Sequence, residues 1–145
     1  MLEIRILGRD EAEVLSKVAD GVFDRWIDRE AARDFLADPR MYLAVALDDG
    51  VVVGMASAQT YHHPDKPTPV LWIDEVGVAD SHHRRGIATR LLDVLFEHAR
   101  ALGCAEAWVL TEPDNDPARR LYAKAGGTPS ECVMYSFTLS TGTRP

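Results

Sequence analysis

Residues 74–92 read D-E-V-G-V-A-D-S-H-H-R-R-G-I-A-T-R-L-L. An apolar, strand-like run ends at Val78, a short polar turn follows, and Arg84 and Arg85 lead through Gly86 into a periodic helix. Strand, basic glycine turn and helix is an arrangement that cradles a phosphate. Backbone N–H groups at the turn and the helix N-terminus point at the anion, and the helix dipole favours negative charge there. Gly86 has no Cβ, so a ligand can approach the chain closely. A dinucleotide-binding turn would carry G-x-G-x-x-G and a P-loop G-K-[ST]. Neither pattern is present, because the turn holds Gly86 alone.

Outward from this stretch, the chain reads as alternating strands and helices. Residues 2–7 alternate as a first strand, and Asp10 with Glu13 three residues on predicts a capped helix with Val14, Leu15 and Val18 on its apolar face. A second helix is expected over residues 28–37, with Ala31, Ala32, Phe35 and Leu36 inward and Pro39 stopping it. Residues 41–47 and 51–59 form a predicted hairpin around Asp48-Asp49-Gly50, and residues 61–69 a proline-rich loop before a strand over 70–78. After Gly86, Ala88, Leu91, Leu92, Leu95, Ala99 and Leu102 form one stripe, with Gly103 as the C-terminal cap. A fifth strand (104–111), a helix (115–125) with Pro117 in its first turn, and a last strand (132–139) complete the reading. The expected fold class is α/β: a mixed, mostly antiparallel sheet flanked by helices. One domain over residues 1–140 with a tail at 141–145 fits the length of 145 residues.

The net charge of −7 runs against nucleic acid and anionic lipid as partners and suits a cationic ligand. The longest apolar runs, 41–47 and 51–56, are too short to cross a bilayer, and the first ten residues lack a secretory pattern. Cys104 and Cys132 form no C-x-x-C pair and read as reduced, buried thiols of a cytoplasmic protein. His62-His63 lacks a third ligand at metal-binding spacing, so no metal is expected.

His83-Arg84-Arg85-Gly86-Ile87-Ala88, followed by Thr89, resembles the acetyl-CoA signature [RQ]-x-x-G-x-[GA] of the GCN5-related N-acetyltransferase superfamily. Asn115, Ala118, Leu121, Tyr122 and Gly126 match a second superfamily signature, N-x-x-A-x-x-L-Y-x-x-x-G. Two motifs in order, separated by a strand, are more specific than either alone. Within the superfamily, the segments N-D-P-A-R-R-L-Y-A-K-A-G and C-V-M-Y-S-F look like the aminoglycoside 3-N-acetyltransferase family. The departure is His83, where Arg or Gln is usual. Its charge depends on pH, which would make cofactor affinity pH-sensitive.

The resemblance implies a splayed parallel strand pair that holds acetyl-CoA. Backbone amides of Arg85, Gly86, Ile87, Ala88 and Thr89, with the side chains of His83, Arg84 and Arg85, would meet the pyrophosphate. The backbone of Val76 and Val78 would pair with the pantetheine arm, beside a β-bulge that Gly77 makes easier. Strand alternation puts Glu75 on the face opposite Asp74 and Val76; Glu75 falls where the family carries its acidic residue and is the expected general base. Tyr122 is the expected acid for the leaving thiolate, and Asn115 either contacts pantetheine or caps its helix. Asp24, Asp28, Glu112, Asp114 and Glu131 are candidates for a cationic acceptor site. The expected reaction is N-acetylation of a small cationic amine, first an aminoglycoside 3-amino group, by direct attack in a ternary complex. A metabolite amine, a protein N-terminus and a non-catalytic acyl-CoA sensor are the other readings. A homodimer with the last strand as its seam is the expected assembly.

Overall fold

The computed structural model describes residues 1–140, so the expected tail at 141–145 lies outside the described residues. Five strands, β1 (Leu2–Ile6), β2 (Met41–Asp48), β3 (Val51–Tyr61), β4 (Val70–Val78) and β5 (Glu106–Val109), form one sheet in that spatial order. Pairing is antiparallel except between β4 and β5, which are parallel. The helices are α1 (Arg29–Ala37), α2 (Ile87–Ala101) and α3 (Asp116–Lys124), with 3-10 turns at Ala12–Ser16 and Asp80–His82. Among the described residues no helix is long and apolar enough to cross a membrane.

Local chemistry accounts for most boundaries. The β2–β3 turn needs left-handed backbone at Asp49 and Gly50, which take φ 49° and 81°, as an Asp-Gly hairpin turn requires. The helix α1 is capped by Asp28, whose carboxylate accepts from Ala31 N–H at 2.9 Å. On α2, Leu91, Leu92, Leu95 and Ala99 of the expected stripe are buried, with Ile87 beside them, while Ala88 is half-buried. They lie on a sheet face of small residues: a Cβ at Gly54 would stand 3.0 Å from Ile87 Cγ2 and 3.3 Å from Leu91 Cδ1. The 12–37 segment covers the other face, where the Val22 carbonyl presses on Gly77 beside Met55.

Several expectations are corrected. The helix expected from Asp10 is only the 3-10 turn Ala12–Ser16. The chain is pulled out of helix there because Val52 N–H donates to Lys17 C=O at 2.8 Å and Ala19 N–H to Val52 C=O at 2.9 Å. The carboxylate of Glu11 holds Gly8 N–H and Arg5 instead of capping a helix. Ala31 and Leu102 are exposed rather than inward, since each lies at the rim of its helix's apolar stripe. The fifth strand is short, Glu106–Val109. Residues 132–139 form no strand, because no neighbouring strand within the described chain pairs with them, and Cys132 is accordingly exposed rather than buried.

Candidate active site

The site is built around the far half of β4. Strands β4 and β5 pair from Val70↔Glu106 to Ile73↔Val109 and then part. On its other side β4 continues along β3, but the register shifts between Ser57 and Ala58, so Asp74 is the extra, bulged residue. A bulge bends and twists its strand, and here it coincides with the loss of β5. Beyond it, Glu75 N–H turns toward β3 and donates to Ser57 Oγ at 3.2 Å. Alternation then aims the backbone groups of Val76 and Val78 at the edge β5 has left. The Val78 carbonyl already accepts from His83 Nε2 at 2.8 Å.

The turn into α2 is conformationally unusual. Arg84 has φ 63° and Gly86 has φ 71°. A side-chain-bearing residue in this region costs about 1–2 kcal/mol, which argues for a specific use of the backbone there. Two left-handed residues within one turn gather backbone N–H groups into a concave, anion-accepting surface. No side chain caps α2, so its first amides, Ile87 to Thr89, are presented by the helix end itself. Ile87, 1% exposed, pins that end to the core, while Arg84 and Arg85 are exposed beside it. His82 Nε2 pairs with Asp48 Oδ2 at 2.7 Å and holds the preceding turn. His83 spans the turn from Val78 toward Asp80, whose Oδ1 is 3.5 Å from its Nε2.

Glu75 stands on the exposed side with Asp74, because the bulge breaks the alternation that would separate them. Its carboxyl is pushed above the ordinary range, first by desolvation and then by the charges of Asp24 and Asp74. Asp24 therefore lies near enough to Glu75 to be felt. It arrives on a loop seated against Gly77, and it lines a groove of about 450 Å³ with Asp20, Trp26, Arg29 and Arg33. The arginines keep this groove from being uniformly acidic. Trp26, 95% exposed, is a wall of the groove that sequence reasoning missed. A lone tryptophan between Asp24 and Asp28 was the available signal.

The remaining candidates are dispersed. Tyr122 is half-buried on α3, and burial pushes its phenol above the usual value. Asn115 caps α3, accepting from Ala118 N–H at 3.2 Å. Glu112 and Asp114 are exposed between β5 and α3, and Glu131 is exposed beyond α3. Asp28 is occupied as the α1 cap and is not among the residues lining the groove. Cys104 is half-buried with its thiol pushed up by burial, the opposite of an activated nucleophile.

Comparison with known proteins places this architecture. The profile of the Acetyltransferase (GNAT) family matches residues 10–127. Two relatives are both named Aminoglycoside N(6')-acetyltransferase type 1. The one from Salmonella typhimurium is 27% identical over 63% of this chain and 65% of its own length, so the match spans about two thirds of that protein. The one from Serratia marcescens is 29% identical over 74% of this chain and 76% of its own. Both names place the reaction at the 6' nitrogen, not the 3 nitrogen of the family the sequence segments resemble. Among solved structures, the aminoglycoside acetyltransferase meta-AAC0020 from an uncultured soil metagenomic sample, in complex with trehalose, shares the fold at TM-score 0.85. It is 20% identical, over 96% of this chain and 97% of that one. Aminoglycoside N-acetyltransferase AAC(6')-Iy in complex with CoA follows at TM-score 0.75, 21% identical over 97% and 96%. A strand that parts from its parallel neighbour, an uncapped helix behind a left-handed turn, and a family match over residues 10–127 agree, and the chain belongs to the acetyltransferase (GNAT) family.

Proposed function

We propose that the protein is an acetyl-CoA-dependent N-acetyltransferase whose acceptor is an aminoglycoside amine. The observation that carries this reading is continuity: one strand–turn–helix presents an open strand edge at Val76 and Val78, an anion-accepting turn at Arg84–Gly86 and the elevated carboxyl of Glu75. The residues fit the group they would hold. An extended amide arm suits the open edge, and a pyrophosphate suits the uncapped amides of Ile87, Ala88 and Thr89 with Arg84 and Arg85 beside them. Around Gly86 a Cβ would meet nothing within 4 Å, so the surface there is free for a ligand.

Acetyl-CoA supplies an acetyl group activated as a thioester. The chain supplies position and proton handling. Glu75, partly desolvated and beside Asp24 and Asp74, takes a proton from the acceptor ammonium at its carboxylate, for which a raised pKa is suited. Asp24 and Asp74 add negative charge that draws the cationic acceptor. Tyr122 keeps its proton at Oη and can donate it to a departing sulfur. Cys104 is left out of the pathway, consistent with direct attack rather than a covalent relay.

The narrower sequence resemblance favours the 3-amino nitrogen, and the named relatives favour the 6'-amino nitrogen. Thiol release from acetyl-CoA against a panel of aminoglycosides, polyamines and peptides tests the acceptor class, and NMR of the product reads the nitrogen. Turnover with aminoglycosides is expected. Turnover only with a metabolite amine or a peptide N-terminus would overturn the acceptor, and CoA binding with no turnover would overturn the enzyme.

A further inference from the structure

We infer, given an aminoglycoside as the acceptor, that Trp72 and Trp108 form an aromatic floor beside Glu75 that receives a second ring of that acceptor and so selects for multi-ring amines. The placement follows from register. Trp72 stands opposite Trp108 on β5 and opposite Gln59 on β3, and Glu75 stands opposite Ser57. Paired residues share a sheet face, and Ser57 and Gln59, two apart on a regular stretch of β3, share one as well. The bulge at Asp74 therefore brings Glu75 onto the face of both tryptophans. Gly77, opposite Met55, belongs to that face too, and the loop carrying Val22 and Asp24 is seated there.

The two indoles meet with ring centroids 6.4 Å apart and planes inclined at 32°. They are not core. Leu71 and Ile73, which alternate onto the face that α2 covers, are buried. Trp72 is only half-buried, and Trp108 is 49% exposed. An indole packed inward would bury a large apolar area; here much of that area is open. The pair also stands immediately before the point where β5 parts from β4, after Ile73 and Val109. The aromatic surface thus borders the opening that the parted strands create, on the side of Glu75.

Charge identifies the occupant. Glu106 shares the Trp108 face of β5 by alternation and stands opposite Val70. Along the strands the order is Glu106, the indole pair, then Asp74 and Glu75, and all three acids are exposed. Acid, aromatic and acid in one line suit an amine-bearing ring. Its C–H face rests on indole, and its ammonium groups meet a carboxylate or lie over the aromatic face. An acidic peptide would find the indoles but the wrong charge around them. From Ser57 to Gln59 is a strand step of about 7 Å, so a ring over the indoles lies next to the amine at Glu75 and not in its place.

Kinetics of the purified full chain with acetyl-CoA compare neamine, a two-ring amine, with its two one-ring amines supplied separately. In Trp108→Ala the preference for neamine, read as a ratio of kcat/KM values, should fall roughly 3–30-fold, chiefly through KM. Trp108→Phe, which keeps an aromatic face, should recover most of it. CoA affinity by calorimetry checks that both variants are folded. In Trp26→Phe the remaining tryptophans are Trp72 and Trp108, and saturating neamine should change their fluorescence. An equal loss for one-ring and two-ring amines, an unmoved ratio, or unchanged fluorescence at saturation would overturn the floor and leave the proposed acceptor standing. No binding or turnover of any aminoglycoside would overturn the acceptor and the floor together.

Discussion

Replacing Gly77 with alanine tests the contact that sets the loop carrying Val22 and Asp24 against β4. The added Cβ would lie 2.2 Å from the Val22 carbonyl oxygen, 3.2 Å from Val22 carbon and 3.6 Å from Met55 Cε. Gly77 is not among the left-handed glycines, so alanine strains no dihedral there, and the whole cost is steric. The obstacle is backbone and cannot rotate away. Because β4 is held along β3 on both sides of this point, the loop must retreat, by roughly 1 Å to restore ordinary contact. Overpacking of this kind costs about 1–3 kcal/mol, and removing a glycine from the unfolded chain returns about 0.4–1 kcal/mol. A net loss of about 1–1.5 kcal/mol is expected, or about 3–5 °C in Tm for a chain of this size.

The functional consequence follows from what the loop carries. Asp24 is the second cause of the raised Glu75 carboxyl, after desolvation. Moving Asp24 away lowers that pKa, so the acid limb of kcat/KM shifts to lower pH while KM for the amine rises. CoA affinity should be unchanged. Gly54→Ala is the comparison: its contacts are longer, 3.0 Å to Ile87 Cγ2, 3.3 Å to Leu91 Cδ1 and 3.5 Å to Ala46 Cβ, and are with side-chain methyls rather than backbone. A calorimetric Tm for Gly77→Ala within about 1 °C of wild type, or a loss smaller than that of Gly54→Ala, would refute the reasoning.

Glu75→Gln should lower kcat by roughly 10²–10⁴-fold with CoA affinity intact by calorimetry, and retained turnover would remove Glu75 from the chemistry. Its folded pKa is raised, so ionisation opposes folding once the pH exceeds the unfolded carboxylate value; Glu75→Gln should therefore melt higher than wild type at pH 7 and equally at pH 3. Asp24→Asn should move the acid limb of the pH–rate profile downward without abolishing activity, and an unmoved limb would place Asp24 outside the site's field. Tyr122→Phe should reduce kcat with little change in either KM, and pre-steady-state thiol release would reveal it. Gly86→Ala, forced into φ 71° with nothing near its Cβ, should lose about 1 kcal/mol of stability yet weaken CoA binding by a larger factor, since the ligand fills the space the methyl would take.

The centre of the fold was legible because its signals are local. Alternation marked the strand at residues 2–7, Asp48-Asp49-Gly50 marked the hairpin, Asp28 and Asn115 marked helix starts, and Leu91, Leu92, Leu95 and Ala99 of the α2 stripe are buried as their spacing requires. What failed was tertiary. The helix expected after Asp10 is cut short by hydrogen bonds to Val52, a residue far away in sequence. Alternation around Glu75 fails because a bulge at Asp74 slips the register, and the reason lies in the pairing with β3 rather than in the residues themselves. Trp26 stands in no periodic context, and only the folding of the 12–33 segment around one groove brings it to the lining.

The last strand separates what a sequence encodes from what a single chain can realise. The pattern of Val133, Tyr135, Phe137 and Leu139 specifies a strand with one apolar face, and that reading concerns only the residues. Whether a strand forms depends on a neighbour, because its backbone groups are satisfied by another strand or by water. The described chain provides none for it, so the pattern stands exposed while β5 stands half-paired. Local and global preferences agree nearly everywhere else in this fold, and consistency across levels is what a folded sequence ordinarily has. Residues 132–139 are where the two levels part: a pattern with one apolar face stands where the described chain offers no strand to pair with it.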